Sequence, residues 1–442
     1  MNHPHVLLVS QHAYGHLNPT IELAKNLRRV GARVTIATTV TGFNNKLKSL
    51  PFFDDISCVS FSDGHDDDIN PDKIPGYFQD LERVGSESLA CVIQTLSESG
   101  NQVTFLVYTL FIPWAAVVAR ELNVPSAILV IQTATCFSIY NHFCNSRDGI
   151  AVVNKDIETS ISLQLPGLPL LKCSDFPTYL LPTDPTFSEM ISLCQEHLKF
   201  LEEEPNPRVL VNTMDDLESD SIKSIKNAVV VGPLVPSSFS DNHGSYFRWL
   251  DSKPENSVIY VSFGSKAVIS KAQKEEILHG LIESSRPFLL VLRDNCEDED
   301  EEIKELKEKV GDDGLVVGWC SQMEVLRHGA VGCFVTHCGW NSTLESMVAG
   351  VAVVACPQFS DQPTNAKMVE EVWGNGVRAV VDEKMLVRRE EVKRCLEAVM
   401  GGGERAEEIK KSVEKWKKVA MESLKDGGSS QINLKVFLES IL

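Results

Sequence analysis

Short apolar runs, many of them β-branched, alternate with stretches whose apolar residues recur at helical spacing, and the alternation occurs twice along this chain. Val6 to Val9 reads as a buried strand. Pro19 to Val30 reads as a helix with Ile21, Leu23, Ala24, Leu27 and Val30 apolar, and Val34 to Thr39 as a second strand. Phe105 to Tyr108, Trp114 to Leu122 and Ala127 to Ile131 continue the rhythm. Prolines crowd 166–185, strands return at Val209 to Asn212 and Val229 to Val231, and 233–246, rich in Pro, Ser, Asn and Gly, reads as a linker. A second alternating unit follows: strand Val258 to Ser262, helix Lys271 to Ser284, then strands Phe288 to Leu292, Leu315 to Val317, Cys333 to Thr336 and Val351 to Ala355. A charged helix, Glu407 to Leu424, stops at Gly427 and Gly428, and 432–442 is helical again. Such alternation predicts an α/β chain of two doubly wound halves, each a parallel sheet covered by helices. Ligands of such sheets bind beyond the carboxyl ends of the strands, so a cleft between the halves is the expected site.

The net charge of −19 over 442 residues argues against nucleic acid and against docking on anionic lipid. No apolar stretch approaches the ~18 residues that a membrane span needs. The N-terminal run Val6 to Val9 is too short for a secretory signal. The 12 cysteines form no C-x-x-C pair, and several lie in apolar runs, so they read as buried free thiols of a cytoplasmic protein. The acidic stretches 63–68 and 295–302 read as solvated loops. Neither a Walker loop nor G-x-G-x-x-G is present, which speaks against an ATPase or a dinucleotide dehydrogenase.

The richest segment runs from Trp319 to Gln362. Its strand Cys333 to Thr336 ends in His337-Cys338-Gly339-Trp340-Asn341-Ser342, and a helix Thr343 to Val348 follows. A helix start after a glycine-bearing loop presents N–H groups and a positive dipole end, a ready phosphate site. Gly339 permits close approach, Asn341, Ser342 and His337 can donate, Trp319 can stack on a flat base, and Glu345 can accept from ribose hydroxyls. The same pattern also fits an ordinary βαβ unit whose polar turn caps its helix. Cys320, Cys333, His337 and Cys338 lack the paired spacing of a zinc site, so no metal is expected.

This segment resembles the 44-residue signature box of plant family 1 UDP-dependent glycosyltransferases, through FVTHCGWNSTLES and the closing FSDQ. GHLNPTIELAKNL, LPGLP at 165–169, VGPL at 231–234, VIYVSFGS at 258–265 and GGSS at 427–430 extend the resemblance over nearly the whole chain. It implies a GT-B fold, two Rossmann-like domains facing across a cleft. The halves would be an acceptor-binding domain 1–235, a linker 236–246, a UDP-sugar domain 247–425, and a helix 426–442 returning to the first domain. It also implies that Trp319 stacks on uracil and that Gln322 and Glu345 hold the ribose. By the same resemblance Ser265, His337, Asn341 and Ser342 hold the diphosphate, and Trp340, Asp361 and Gln362 touch the sugar, with Cys320 and Gly339 beside them. A terminal Gln, together with Trp340 where glucuronosyl enzymes carry Arg, implies glucose as the sugar.

The resemblance places the general base at His16, in the GH-x-x-P turn that reads as a loop ahead of Pro19; unaided, a capping role fits His16 equally. His12 reads as acceptor-side lining or surface. Most family members keep an Asp behind the histidine, in a motif resembling D-x-F-x-x-W. Here the stretch is Val107-Tyr108-Thr109-Leu110-Phe111-Ile112-Pro113-Trp114, so Thr109 stands at the Asp position. A hydroxyl can orient the ring but cannot balance its charge. The expected function is therefore inverting, metal-independent transfer from UDP-glucose, without a cofactor, to a phenolic or carboxylic small molecule, by a monomer. A UDP-sugar-binding protein with little turnover is the alternative.

Overall fold

The computed structural model describes residues 4–49, 56–67, 74, 76–145, 162–164, 167–181, 184, 187–237, 244–292 and 310–441. The acidic stretch 295–302, Asp68, Leu165, Pro166 and positions 238–243 of the Pro/Ser-rich stretch lie outside the described residues.

The chain divides into two compact units, one of Met1–Leu170, Tyr179–Val235 and Glu422–Leu442, the other of Leu171–Thr178 and Pro236–Met421. The first holds β1 (His5–Ser10), β2 (Arg33–Thr39), β3 (Ile56–Phe61), β4 (Phe105–Thr109) and β5 (Ser126–Val130). Two short strands, β6 (Ser162–Gln164) and β7 (Leu170–Lys172), stand outside its sheet, which β8 (Val209–Val211) and β9 (Ala228–Val230) complete. The order is β3-β2-β1-β4-β5-β8-β9, all parallel. The second unit holds β10 (Val258–Ser262), β11 (Phe288–Val291), β12 (Gly314–Val317), β13 (Val331–Thr336), β14 (Ala352–Ala355) and β15 (Gly376–Arg378). They run parallel in the order β12-β11-β10-β13-β14-β15.

The central strands are buried along their whole length, as β1, β4 and β10 show. Helices cover both faces of such a sheet, which is why these strands read as unbroken apolar runs. The strand order reverses between β1 and β4 and again between β10 and β13. At such a switch point the connections leave in opposite directions and open a crevice beyond the carboxyl ends. The last helix, Ser429–Glu439, packs within the first unit: Ser430 Oγ donates to Val231 O at 2.7 Å and the Phe437 ring meets Phe105 edge-on.

Two expectations need correction. The first helix, α1 (Tyr14–Arg29), begins five residues before Pro19 and contains it, so His16 is helical. The Ala13 carbonyl accepts the N–H groups of His16 and Leu17, both at 2.9 Å, and starts the helix; Pro19 forfeits one later bond. The helix after β13 likewise starts early, at Trp340, and runs to Ala349. Its first residues are therefore Trp340, Asn341 and Ser342, and the Thr343 N–H makes the first helical bond, to Gly339 O at 3.0 Å. The division between the units falls at Val235/Pro236; ahead of it Leu234 N–H donates to Asn212 Oδ1 at 2.8 Å, and a helix begins at Ser245.

Candidate functional site

In the first unit, β1 leads into α1 and β4 ends at Thr109, and these two strands are neighbours at the switch point. That adjacency brings together residues 93 positions apart in sequence: His16 Nδ1 lies 3.1 Å from Thr109 Oγ1, both buried. The Phe111 ring tilts over the imidazole at 5.8 Å between centroids. His12 reaches in another direction, its Nδ1 3.4 Å from the Tyr77 hydroxyl, which donates to Asp63 Oδ2 at 2.9 Å. Asp63 is wholly buried and also accepts the His65 N–H, so this end of the acidic run is internal structure and not a solvated loop. Asp66 and Asp67 are exposed.

In the second unit the residues gather at the ends of β10 and β13. Gln322 Nε2 donates to Ser342 Oγ at 2.9 Å and to Glu345 Oε2 at 2.6 Å, joining two groups on the first turns of helix Trp340–Ala349. Tyr260, on β10, donates its hydroxyl to Gln322 Oε1 at 3.3 Å and lies 3.4 Å from Cys320 Sγ. Tyr260 thus orients Gln322, a role hidden within an apolar strand run. Burial pushes the Cys320 thiol up to about 11, so it is neutral at pH 7. Trp319 is 67% exposed, which leaves its ring open to a base. The Trp340 ring, by contrast, is buried against Trp373 at 5.7 Å, so a ligand meets the backbone of this residue before its ring.

His337 stands between two glycines. A Cβ added at Gly264 would lie 2.7 Å from its ring, and one at Gly339 2.6 Å from its Nε2. Gly264 also adopts φ +75°, which disfavours any side chain. Burial holds the imidazole down, at about 4, against a hydrogen bond to the Ser262 backbone, so the ring is neutral at pH 7 until an anion beside it raises that value and the ring gains its second N–H. Ser265 follows Gly264 and is half-buried.

Asp361 and Gln362 form the far end of this group. Gln362 Oε1 accepts the N–H groups of Gln358 and Phe359 at 2.8 and 3.0 Å, which leaves its amide nitrogen as the end that can donate to a ligand. Asn365 Nδ2 bridges Asp361 Oδ2 and Cys338 O at 2.8 and 2.9 Å, tying the start of helix Gln362–Lys367 to the turn after β13. Ser360, at φ +62°, is gripped from both sides by Thr178: its N–H donates to Thr178 Oγ1 at 2.8 Å and its carbonyl accepts the Thr178 N–H at 2.9 Å. Neither Asn365 nor Thr178 carries a sequence signal for this role. Among the described residues no three His, Cys, Asp or Glu side chains converge as metal ligands, and no helix is long and apolar enough to cross a membrane.

Burial pushes the Asp361 carboxyl up to about 6, with the Asn365 hydrogen bond opposing. An acid whose folded pKa is raised favours the fold below its unfolded pKa and loses that contribution as pH climbs through the folded value. Wild type should therefore lose stability relative to Asp361→Asn between about pH 4 and pH 6, with no further change above. Melting temperatures of both proteins across this range check it; a constant difference would show that Asp361 is not raised.

A model of the family described as UDP-glucoronosyl and UDP-glucosyl transferase matches residues 215–422. The chain is 44% identical to UDP-glycosyltransferase 75C1 of Solanum lycopersicum, over 99% of this chain and 98% of that one. It is also 44% identical to the crocetin glucosyltransferase, chloroplastic, of Gardenia jasminoides, over 98% and 97%. The crystal structure of Os79 from O. sativa in complex with UDP matches with a TM-score of 0.87 at 33% identity, covering 99% of this chain and all of that one. With two parallel-sheet Rossmann-like units and this similarity along its length, the chain belongs to the plant family 1 UDP-glycosyltransferases and is a GT-B glycosyltransferase.

Proposed function

We propose that this chain transfers glucose from UDP-glucose to an oxygen of a small phenolic or carboxylic acceptor, inverting the anomeric carbon, with His16 as general base and no metal. The observation that carries the mechanism is the His16–Thr109 contact of 3.1 Å at the end of β4. With Nδ1–H donating to the Thr109 hydroxyl, Nε2 bears the lone pair a base needs. The acceptor oxygen forms its bond to the anomeric carbon as the bond to UDP breaks. Its proton moves to Nε2, and UDP departs with the electron pair. The charge growing on UDP is met by the start of helix Trp340–Ala349 with Asn341, Ser342 and His337. Trp319 stacks on uracil and Gln322 with Glu345 holds the ribose; Asp361 and the Gln362 amide read the sugar hydroxyls. A relative named as a glucosyltransferase and a fold neighbour bound to UDP support the donor assignment.

The donor test is kinetic. UDP-glucose should give a higher kcat/KM than UDP-galactose or UDP-glucuronate, and EDTA should leave the rate unchanged. A preference for either rival sugar, or a large loss with chelator, overturns the donor assignment or the metal-free mechanism respectively.

Thr109 sets the acceptor chemistry. Thr109→Asp places a negative charge at the His16 imidazole, which stabilises the protonated ring. A neutral hydroxyl needs that help because its proton moves as the bond forms, whereas a carboxylate arrives ionised and is repelled. The ratio of phenol to carboxylic-acid kcat/KM should rise by about a few-fold to tenfold, or about 1 kcal/mol. Thr109 is buried, so the melting temperature is read alongside. An unchanged ratio in a folded variant shows that position 109 does not select the acceptor.

A further inference from the structure

Two residues beyond Thr109 the backbone does something costly. Phe111 adopts φ +67°, in the left-handed region, with no glycine to ease it. Such a conformation is strained and persists only where surrounding structure imposes it. Here both faces of the residue are held. Its N–H donates to His197 Nε2 at 2.9 Å, and its carbonyl accepts Gln11 Nε2 at 3.2 Å. His197 comes from the helix Phe187–Glu203, and Gln11 is the residue that follows β1.

His197 is itself in an expensive position. It is buried, and burial holds its pKa down, at about 3, so the ring is neutral. Since Nε2 accepts, the proton sits on Nδ1, and among the described residues Nδ1 has no hydrogen-bond partner. An unsatisfied buried donor forfeits the hydrogen bond that water would supply in the unfolded chain. A leucine would avoid that cost but would orphan the Phe111 N–H. The ring also lies parallel to Tyr108, at 5.7 Å and 6° between planes, and so braces the residue just before Thr109. Strained Phe111 in turn lays its ring on His16 and meets Tyr179 edge-on. Local departures from good packing and full hydrogen bonding gather where function requires them.

We propose that His197 is a positioning residue for the transfer reaction, holding the 109–111 turn so that Thr109 and the Phe111 ring stay on His16. This rests on the reading of His16 as the base. His197 does not touch substrate; it acts through the backbone of Phe111. Removing its acceptor lets Phe111 relax toward φ < 0, which swings the ring away and loosens the Thr109–His16 contact.

The test is a set of variants in the intact chain, assayed with UDP-glucose and a phenolic acceptor. His197→Leu should lower kcat about tenfold while the donor KM stays within twofold of wild type. His197→Gln, whose amide oxygen can accept the Phe111 N–H, should recover most of the loss. Gln11→Leu removes the opposite grip and should lower kcat in the same manner, which keeps the test open if His197→Leu fails to fold. In a His16→Ala background, His197→Leu should cost little more, because its effect passes through His16. A folded His197→Leu with wild-type kcat, a full further loss in the His16→Ala background, or no recovery with Gln overturns the proposal. Full activity of His16→Ala alone overturns the reading of the base instead, so the two failures are distinct.

Discussion

His16→Ala should lower kcat by about 10²–10⁴ on phenolic and alcoholic acceptors, the range for loss of a general base. The Cβ of alanine cannot take the acceptor proton, and no other described side chain stands at Thr109 Oγ1 in its place. Donor affinity should stay near wild type, because Trp319, Gln322, His337 and Glu345 all belong to the other unit. The fold should survive with a melting temperature a few degrees lower: the ring contributes its packing on Phe111 and its bond to Thr109, while the Thr20 hydroxyl still bonds to the backbone carbonyl of residue 16. Steady-state kinetics over a panel of phenols and carboxylic acids, with UDP-glucose binding measured separately, gives the answer. Activity retained on every acceptor removes His16 from the mechanism. Activity retained on carboxylic acids alone shows that the natural acceptor arrives ionised, and Thr109 then suffices because no imidazolium charge needs balancing. A wild-type protein that binds UDP-glucose yet releases no UDP with any acceptor is a binding protein.

What could be read from the sequence follows from burial. The central strands are covered on both faces and so appear as unbroken apolar runs, easily seen in Val6–Val9 or Val258–Ser262. Edge strand β3 is mostly half-buried and carries Ser57, Cys58 and Ser60 among its apolar residues, which hides it. The long helix Tyr77–Glu98 escaped for a different reason. Its buried stripe is Tyr77, Leu81, Gly85, Leu89 and Ile93, and the glycine breaks it at the centre. Gly85 is there because a Cβ would lie 2.9 Å from the Trp114 ring, a long-range fact with no local signature. The candidate site divides in the same way. Residues that can touch a ligand stand at strand ends in recognisable strings, so His16, His337 and Gln362 were legible. Residues that hold them were not: Tyr260 lies inside a strand, Thr178 in a proline-rich stretch, and His197 in a helix with no motif.

The proposed hold of His337 on the diphosphate requires room for its ring, and this gives the second large effect. Gly264→Ala and Gly339→Ala should each raise the KM for UDP-glucose by about 10–150-fold, the value of one hydrogen bond to a charged group at ~1.5–3 kcal/mol. The two glycines approach the same imidazole, from the ends of β10 and β13, at distances a Cβ cannot hold, 2.7 and 2.6 Å. At both positions the three atoms nearest the added Cβ belong to this imidazole, so the ring is the group that gives. It must therefore swing out of the place from which it can donate to a diphosphate oxygen. Gly264 carries a further cost, because φ +75° strains any residue with a side chain, whereas Gly339 at φ −57° does not. Gly339→Ala consequently isolates displacement of the ring, and Gly264→Ala adds backbone strain and should lower the melting temperature more. His337→Ala is the control: if the glycines act through this ring, Gly339→Ala should add little to it, as expected for residues that share one interaction. Isothermal titration with UDP separates diphosphate binding from the sugar contacts proposed for Asp361 and Gln362, which stand at the start of a different helix, Gln362–Lys367. Wild-type UDP affinity in folded Gly339→Ala would show that the diphosphate is held without His337, by the helix start alone.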